Sequence, residues 1–157
     1  MGGLVCFDTN ICIWGFNGQC SGNQEDNVVK AKFLIDYLSN INIDIVVPAV
    51  VLAELLARVG RSEQIAFAAR MNADPFDVRP FDTLAAVEYA RLAAKLPEET
   101  REKSKVDRMI VATALAVKAE AIYSHDPHIK IIANQFIEVR LLPTPPPHQL
   151  LLPTLKK

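Results

Sequence analysis

The apolar positions of this chain change period repeatedly, from short unbroken runs to helical spacing and back. Residues 4–8, LVCFD, form a continuous apolar run that stops at Asp8, as expected of a strand buried on both faces. Ile11, Ile13 and Trp14 resume at a helix-like spacing, so a short helix follows through Trp14. Residues 17–27, NGQCSGNQEDN, are polar, hold two glycines and have no period, which predicts a loop. Val28, Ala31, Phe33, Leu34, Ile35 and Leu38 then give the stripe of a helix over 28–39. IDIVVP, 43–48, reads as a second strand, followed by a helix over 49–59 that Gly60 stops. A further helix over 62–71 has Ser62 as its N-cap. FDVRPF, 76–81, is a third strand, and Asp82 caps a helix running to Leu96, where Pro97 ends the pattern. EETREKSK, 98–105, reads as a charged connector, and 105–118 as a strongly apolar helix. AIYS, 121–124, is strand four, 126–134 a short helix, and FIEVRLL, 136–142, strand five.

Strands that alternate with helices favour crossover connections and a parallel sheet. The expected fold class is therefore α/β: a single three-layer domain, residues 1–142, with a mainly parallel five-stranded sheet and helices on both faces. Ligands of such sheets sit beyond the carboxyl ends of the strands. Residues 143–157, PTPPPHQLLLPTLKK, carry four prolines in their first five positions and predict an extended tail. Its Leu150, Leu151 and Leu152 offer an apolar segment for docking on the body or on another subunit.

Composition narrows the picture. A length of 157 residues suits one domain with a single core, and 50% hydrophobic against 22% charged residues excludes a disordered chain. A net charge of −1 excludes a general basic nucleic-acid coat, though not a local basic patch. The three cysteines, Cys6, Cys12 and Cys20, are odd in number, and Cys6 lies within a core strand, so free thiols in a reducing compartment are expected. Their spacing from His125, His128 and His148 does not match a zinc site. With neither a signal peptide nor a membrane-spanning run in view, the expected location is cytoplasmic, with no membrane partner.

Four carboxylates change the picture more. Each has an ordinary structural reading. Asp8 suits an Asx-turn or a cap. Glu54, in VPAVVLAELLARVG, lies off the stripe of Leu52, Leu55, Leu56 and Val59 and suits a pair with Arg58 one turn on. Asp107 follows Ser104 by three, as in a capping box. Asp126 before Pro127 suits a helix start. Their positions are not ordinary. Asp8 and Asp126 both end strands, Asp107 opens the helix leading into strand four, and Glu54 lies in the first two turns after strand two. All four thus project toward one edge of the sheet. A pair of carboxylates about 4 Å apart repels by about 4 kcal/mol at an effective dielectric of about 20. Hard cations between them relieve that repulsion, and oxygen donors suit Mg²⁺ or Mn²⁺. Such a site activates water and stabilises the charge of a phosphate being cleaved.

VCFDTNICIW, VVPAVVLAELLARVG and KVDRMIVATALAVKAEAIYSHD resemble, in order and spacing, the motifs of PIN-domain nucleases, and within them the VapC-type ribonuclease toxins of toxin–antitoxin modules. The resemblance runs from about Leu4 to Leu142. It implies a PIN-like fold and a divalent-metal-dependent endoribonuclease using Mg²⁺ or Mn²⁺, with RNA as substrate, an antitoxin as protein partner and homodimerisation. Carried over by position, Asp8, Glu54, Asp107 and Asp126 match the acidic catalytic and metal-binding residues, and Thr9 or Asn10 the polar residue after the first Asp. One departure stands out. Many members carry a further acidic residue shortly after the last Asp, where this chain has Pro127, His128 and Ile129.

Two other readings compete. A haloacid-dehalogenase-like phosphatase also starts with Asp after strand one but requires Asp-x-Asp, and here the third residue is Asn10. A non-catalytic PIN-like RNA-binding or protein-interaction module would not need all four acids. For RNA, Arg101, Lys103, Lys105 and Arg108 surround Asp107 and offer charge to phosphates, with Arg58 and Arg61 extending the strip; their ordinary reading is a solvated basic loop.

Overall fold

The structure, a computed structural model, describes residues 2–18 and 22–147. Cys20, part of the polar loop and the tail from His148 onward lie outside the described residues. Five strands, β1 (Leu4–Phe7), β2 (Asp44–Pro48), β3 (Phe76–Arg79), β4 (Ala121–Tyr123) and β5 (Glu138–Arg140), form one sheet in the order β3-β2-β1-β4-β5. Every pairing is parallel, with Val5 opposite both Ile45 and Ala121. Eight α-helices flank it: α1 (Thr9–Cys12), α2 (Glu25–Asn40), α3 (Ala49–Leu56), α4 (Gln64–Met71), α5 (Thr83–Ala94), α6 (Glu98–Lys103), α7 (Lys105–Ala116) and α8 (Pro127–Ala133).

Successive residues of a strand face opposite sides of the sheet. Val5, Cys6 and Phe7 are all buried, as are Ile45, Val46 and Val47 and Ala121 and Ile122, so helices cover both faces. This is the expected three-layer architecture. The chain moves from β1 to one side for β2 and β3, then returns across it to place β4 and β5 on the other. The strand order therefore switches between β1 and β4, and the crevice at their carboxyl ends is where such sheets hold ligands.

Several boundaries differ from the sequence reading, each for a local reason. The predicted loop 17–27 gives way at Glu25 to α2, whose first turn holds Glu25 and Asp26, the charge sign favoured at a helix N-terminus. The connector 98–105 instead contains α6: Glu98 and Glu99 open it, Arg101 and Lys103 close it, and Lys103 pairs with Glu99 at 2.9 Å. Helix 49–59 ends at Leu56. Gly60 is not a left-handed cap (φ −56°), and the Gln64 side-chain amide donates to the freed carbonyls of Leu56 (3.2 Å) and Val59 (3.3 Å). Ser62 does not cap a helix but sits in a 3₁₀ turn, Arg61–Glu63, ahead of α4. Beyond α1 the chain continues through a π turn, Ile13–Asn17. Strands three and five are shorter than expected, at four and three residues. Cys6 and Cys12 are free and buried, as read. No helix among the described residues is long and apolar enough to cross a membrane.

Candidate metal centre

The centre grows from the register of β1 and β4. Phe7 lies opposite Tyr123, so the next residues, Asp8 and Ser124, leave the sheet side by side. The Asp8 backbone is extended (φ −80°, ψ 176°), and its Oδ1 accepts from the backbone N–H of Ile11 at 3.1 Å, capping α1. Its Oδ2 accepts from the Ser124 hydroxyl. The same Ser124 oxygen accepts from the backbone N–H of Asp126 at 3.0 Å, and so joins the ends of both strands. Asp126 caps α8, accepting from the His128 N–H at 2.8 Å, with Pro127 in the first turn. The capping readings of Asp8 and Asp126 are thus realised together with their place at the crevice.

The capping box expected at Asp107 does not form. Ser104 has φ −118° and makes no side-chain cap; its hydroxyl donates to the Thr100 carbonyl in α6 instead. Among the described residues no side-chain hydrogen bond holds the Asp107 carboxylate. Glu54 is likewise not paired with Arg58 but accepts from the Thr9 hydroxyl. The buried side of α3 is Val51 and Leu55, worth about 1.5–3 kcal/mol each, with Leu52, Leu56 and Val59 at its margin. Packing of that side leaves Glu54 and Arg58 on the exposed one.

Asp8, Thr9, Asn10, Glu54, Arg58, Asp107 and Asp126 line one cleft of about 410 Å³. All four expected carboxylates are brought together there, with both polar residues after Asp8. They are not equivalent. Asp107 and Asp126, joined by His128, present ligand atoms within 4.8 Å of one another, while Asp8 and Glu54 stand outside that tighter cluster, held by Ser124 and Thr9.

Electrostatics agree with the crowding. Burial, with 4% of the residue exposed, pushes the Asp8 carboxyl up to about 6; Asp126 and Asp107 push the same way, against the bonds from Ser124 and Ile11. Asp107 is raised too, by partial burial first, then by repulsion from Asp126 and Glu54, with His128 opposing. Carboxylates that resist ionisation when left to themselves are a donor set that a hard divalent cation suits. Mg²⁺ or Mn²⁺ fits these residues on that ground.

The basic strip divides. Lys103 is exposed and lines an adjoining cavity of about 540 Å³ with Asp107 and His128. Lys105 is exposed and pairs with Glu102 at 3.4 Å. Arg101 is half-buried. Arg108 overturns its expectation: it is 4% exposed, its guanidinium lies 4.4 Å over the Tyr89 ring, and it donates to the Arg101 carbonyl. A guanidinium so enclosed braces α6 against α5 and has no face for a phosphate.

Ser124 and His128 are what the sequence reading missed as site members. Ser124 follows a strand beside Asp8, a neighbour visible only once β1 and β4 are known to pair. His128 sits two residues after Asp126, on the stretch where the family's further acid was sought.

The PIN domain family model matches residues 5–135. No curated protein matches the sequence. The fold is similar to DNA-bound VapBC from Salmonella typhimurium, with a TM-score of 0.63 at 16% identity, over 90% of this chain and 99% of that one. It is similar to VapBC-1 from nontypeable Haemophilus influenzae, at 0.61 and 16%, over 88% and 98%. It also resembles FitAcB from Neisseria gonorrhoeae, at 0.56 and 17%, over 86% and 95%.

Proposed function

The chain belongs to the PIN domain family, and from that premise we propose that it is a divalent-metal-dependent endoribonuclease, the toxin of a toxin–antitoxin module. One observation carries the reading: four carboxylates share a cleft at the switch of strand order, and one of them, Asp107, has been left without the cap that would explain it.

Asp8, Glu54, Asp107 and Asp126 would hold the cation. Mg²⁺ or Mn²⁺ bound there supplies positive charge to the phosphate and makes a water more acidic. The chain's own residues do the rest. Ser124 and the Ile11 N–H fix the Asp8 carboxylate, and Thr9 fixes Glu54, so the donors are oriented before substrate arrives. Arg58, on the rim of the cleft and free of Glu54, meets the negative charge of the RNA backbone, and Lys103 receives the strand as it leaves. Asn10, exposed beside Asp8, offers an amide to a phosphate oxygen or to water. Water adds to phosphorus, one bridging P–O bond breaks, and the leaving oxygen takes up a proton.

The toxin assignment draws on the VapBC and FitAB complexes that share the fold. It makes an antitoxin the expected protein partner, a homodimer the expected assembly and the cytoplasm the expected compartment. Purified protein should cleave single-stranded RNA with Mg²⁺ or Mn²⁺ and stop with EDTA. Equal cleavage in EDTA, by a preparation in which Asp8→Asn is also active, would overturn the nuclease reading. Growth arrest on expression, relieved by the product of a neighbouring gene, would test the toxin.

A further inference from the structure

We propose that His128 supplies a nitrogen ligand to the metal held by Asp107 and Asp126, making this a mixed nitrogen–oxygen centre. The inference rests on the metal-dependent reading above and goes beyond its all-carboxylate donor set.

The geometry is that of a single coordination sphere with little adjustment. An ion with bonds of about 2.1 Å keeps its ligand atoms about 3 to 4.2 Å apart. One imidazole nitrogen of His128 and one oxygen each of Asp107 and Asp126 already lie within 4.8 Å of one another. His128 Nδ1 stands 3.2 Å from Asp126 Oδ1, and the backbone ties the pair, since the same oxygen accepts the His128 N–H at 2.8 Å. A packing role does not account for the ring, because the side chain is 70% exposed. The backbone bond and Pro127 hold the first turn of α8 without it. His128 also faces Asp107 across the boundary of the two cavities, so the ring stands where the cation and an incoming strand meet.

Imidazole suits Mn²⁺, Co²⁺ and Ni²⁺ better than Mg²⁺, which prefers oxygen throughout. The ligand therefore biases the site toward transition metals. The stretch after Asp126, which lacks a further acid, fills that role with a different donor.

The test uses Mn²⁺ alone, with no RNA. Pulsed electron paramagnetic resonance of the Mn²⁺-loaded protein should show ¹⁴N modulation from an imidazole. In protein grown with ¹⁵N-histidine the modulation should change to the ¹⁵N pattern, and in His128→Ala it should vanish while circular dichroism stays native. The Mn²⁺ over Mg²⁺ affinity ratio should fall about tenfold in that variant. If Mn²⁺ binds and is lost in Asp107→Asn, yet shows no nitrogen coupling, the inference fails and the carboxylate centre stands. If Mn²⁺ does not bind at millimolar concentration, both fail. Coupling that persists in His128→Ala would assign the nitrogen elsewhere and overturn the proposal.

Discussion

Ser124 donates its hydroxyl to the buried carboxylate of Asp8 across the β1–β4 boundary, 116 residues away in sequence. The same oxygen accepts the Asp126 N–H, so one hydroxyl sets the spacing of two acids of the centre. Ser124→Ala leaves a buried carboxylate short of a donor and a backbone N–H short of an acceptor. The expected loss is about 1.5–3 kcal/mol of stability, measured by denaturant unfolding. Mn²⁺ affinity should fall with it, and Ser124→Thr should restore both. Unchanged metal affinity in the Ala variant would show that the hydroxyl serves packing alone.

A second consequence concerns pH. The Asp8 carboxyl is raised from 3.8 to about 6 by burial and, less, by its acidic neighbours. The folded metal-free protein thus binds a proton more tightly than the unfolded chain between those values, and stability falls as pH rises through that window. The difference is about 3 kcal/mol in order of magnitude. Asp107 is raised and acts in the same direction. Melting of metal-free wild type should drop relative to Asp8→Asn between pH 4 and about pH 6.5, and the gap should close when Mn²⁺ is added at neutral pH. Parallel curves for the two proteins would mean that Asp8 is not strained by its burial.

How much of this was legible in the chain follows from the range of each signal. Asp8, Asp82 and Asp126 each accept from an N–H two or three residues on, a contact within one helical turn, and their caps could be read directly. The strand cores could be read because both-sided burial leaves unbroken apolar runs such as VCF and IVV. The short charged α6 could not, since ion pairs along its surface and the macrodipole leave no apolar period to detect. Arg108 was misread because a cation in a charged stretch looks solvated; only the approach of Tyr89 from α5 encloses it. Asp107 was ambiguous for the opposite reason. Ser-x-x-Asp is a fair capping box until α6 ends one residue before Ser104 and takes its hydroxyl.

The two basic residues on either side of Asp107 should separate cleanly. Lys103→Ala should weaken RNA binding and reduce the slope of log affinity against log salt by about 0.7, as expected for one contact to a single strand. Arg108→Ala should cost about 2 kcal/mol or more, through loss of its Tyr89 stacking and its bond to Arg101, and leave the salt slope alone. Filter binding across a salt series and thermal melts of both variants check this. A salt slope altered by Arg108→Ala in a protein with native stability would return that residue to the RNA surface.

Asp107→Asn tests the centre without any substrate. The carboxylate has no cap to satisfy and is raised by burial, then by repulsion from Asp126 and Glu54, so making it neutral removes a cost from the folded metal-free state. The variant should melt higher than wild type at neutral pH in EDTA. Metal that binds only the folded form adds about 2.7 kcal/mol at a hundredfold excess over its dissociation constant. Wild type should gain on that scale with Mn²⁺ and the variant much less, so that the order of melting temperatures closes or reverses. Cleavage should be abolished in the variant. Asp82→Asn is the control: its carboxylate accepts the Ala85 N–H at 2.9 Å at the start of α5, away from the cleft, and Asn caps about as well. It should keep both activity and the full metal response. An Asp107→Asn protein that melts lower than wild type and gains as much from Mn²⁺ would reduce Asp107 to a structural residue.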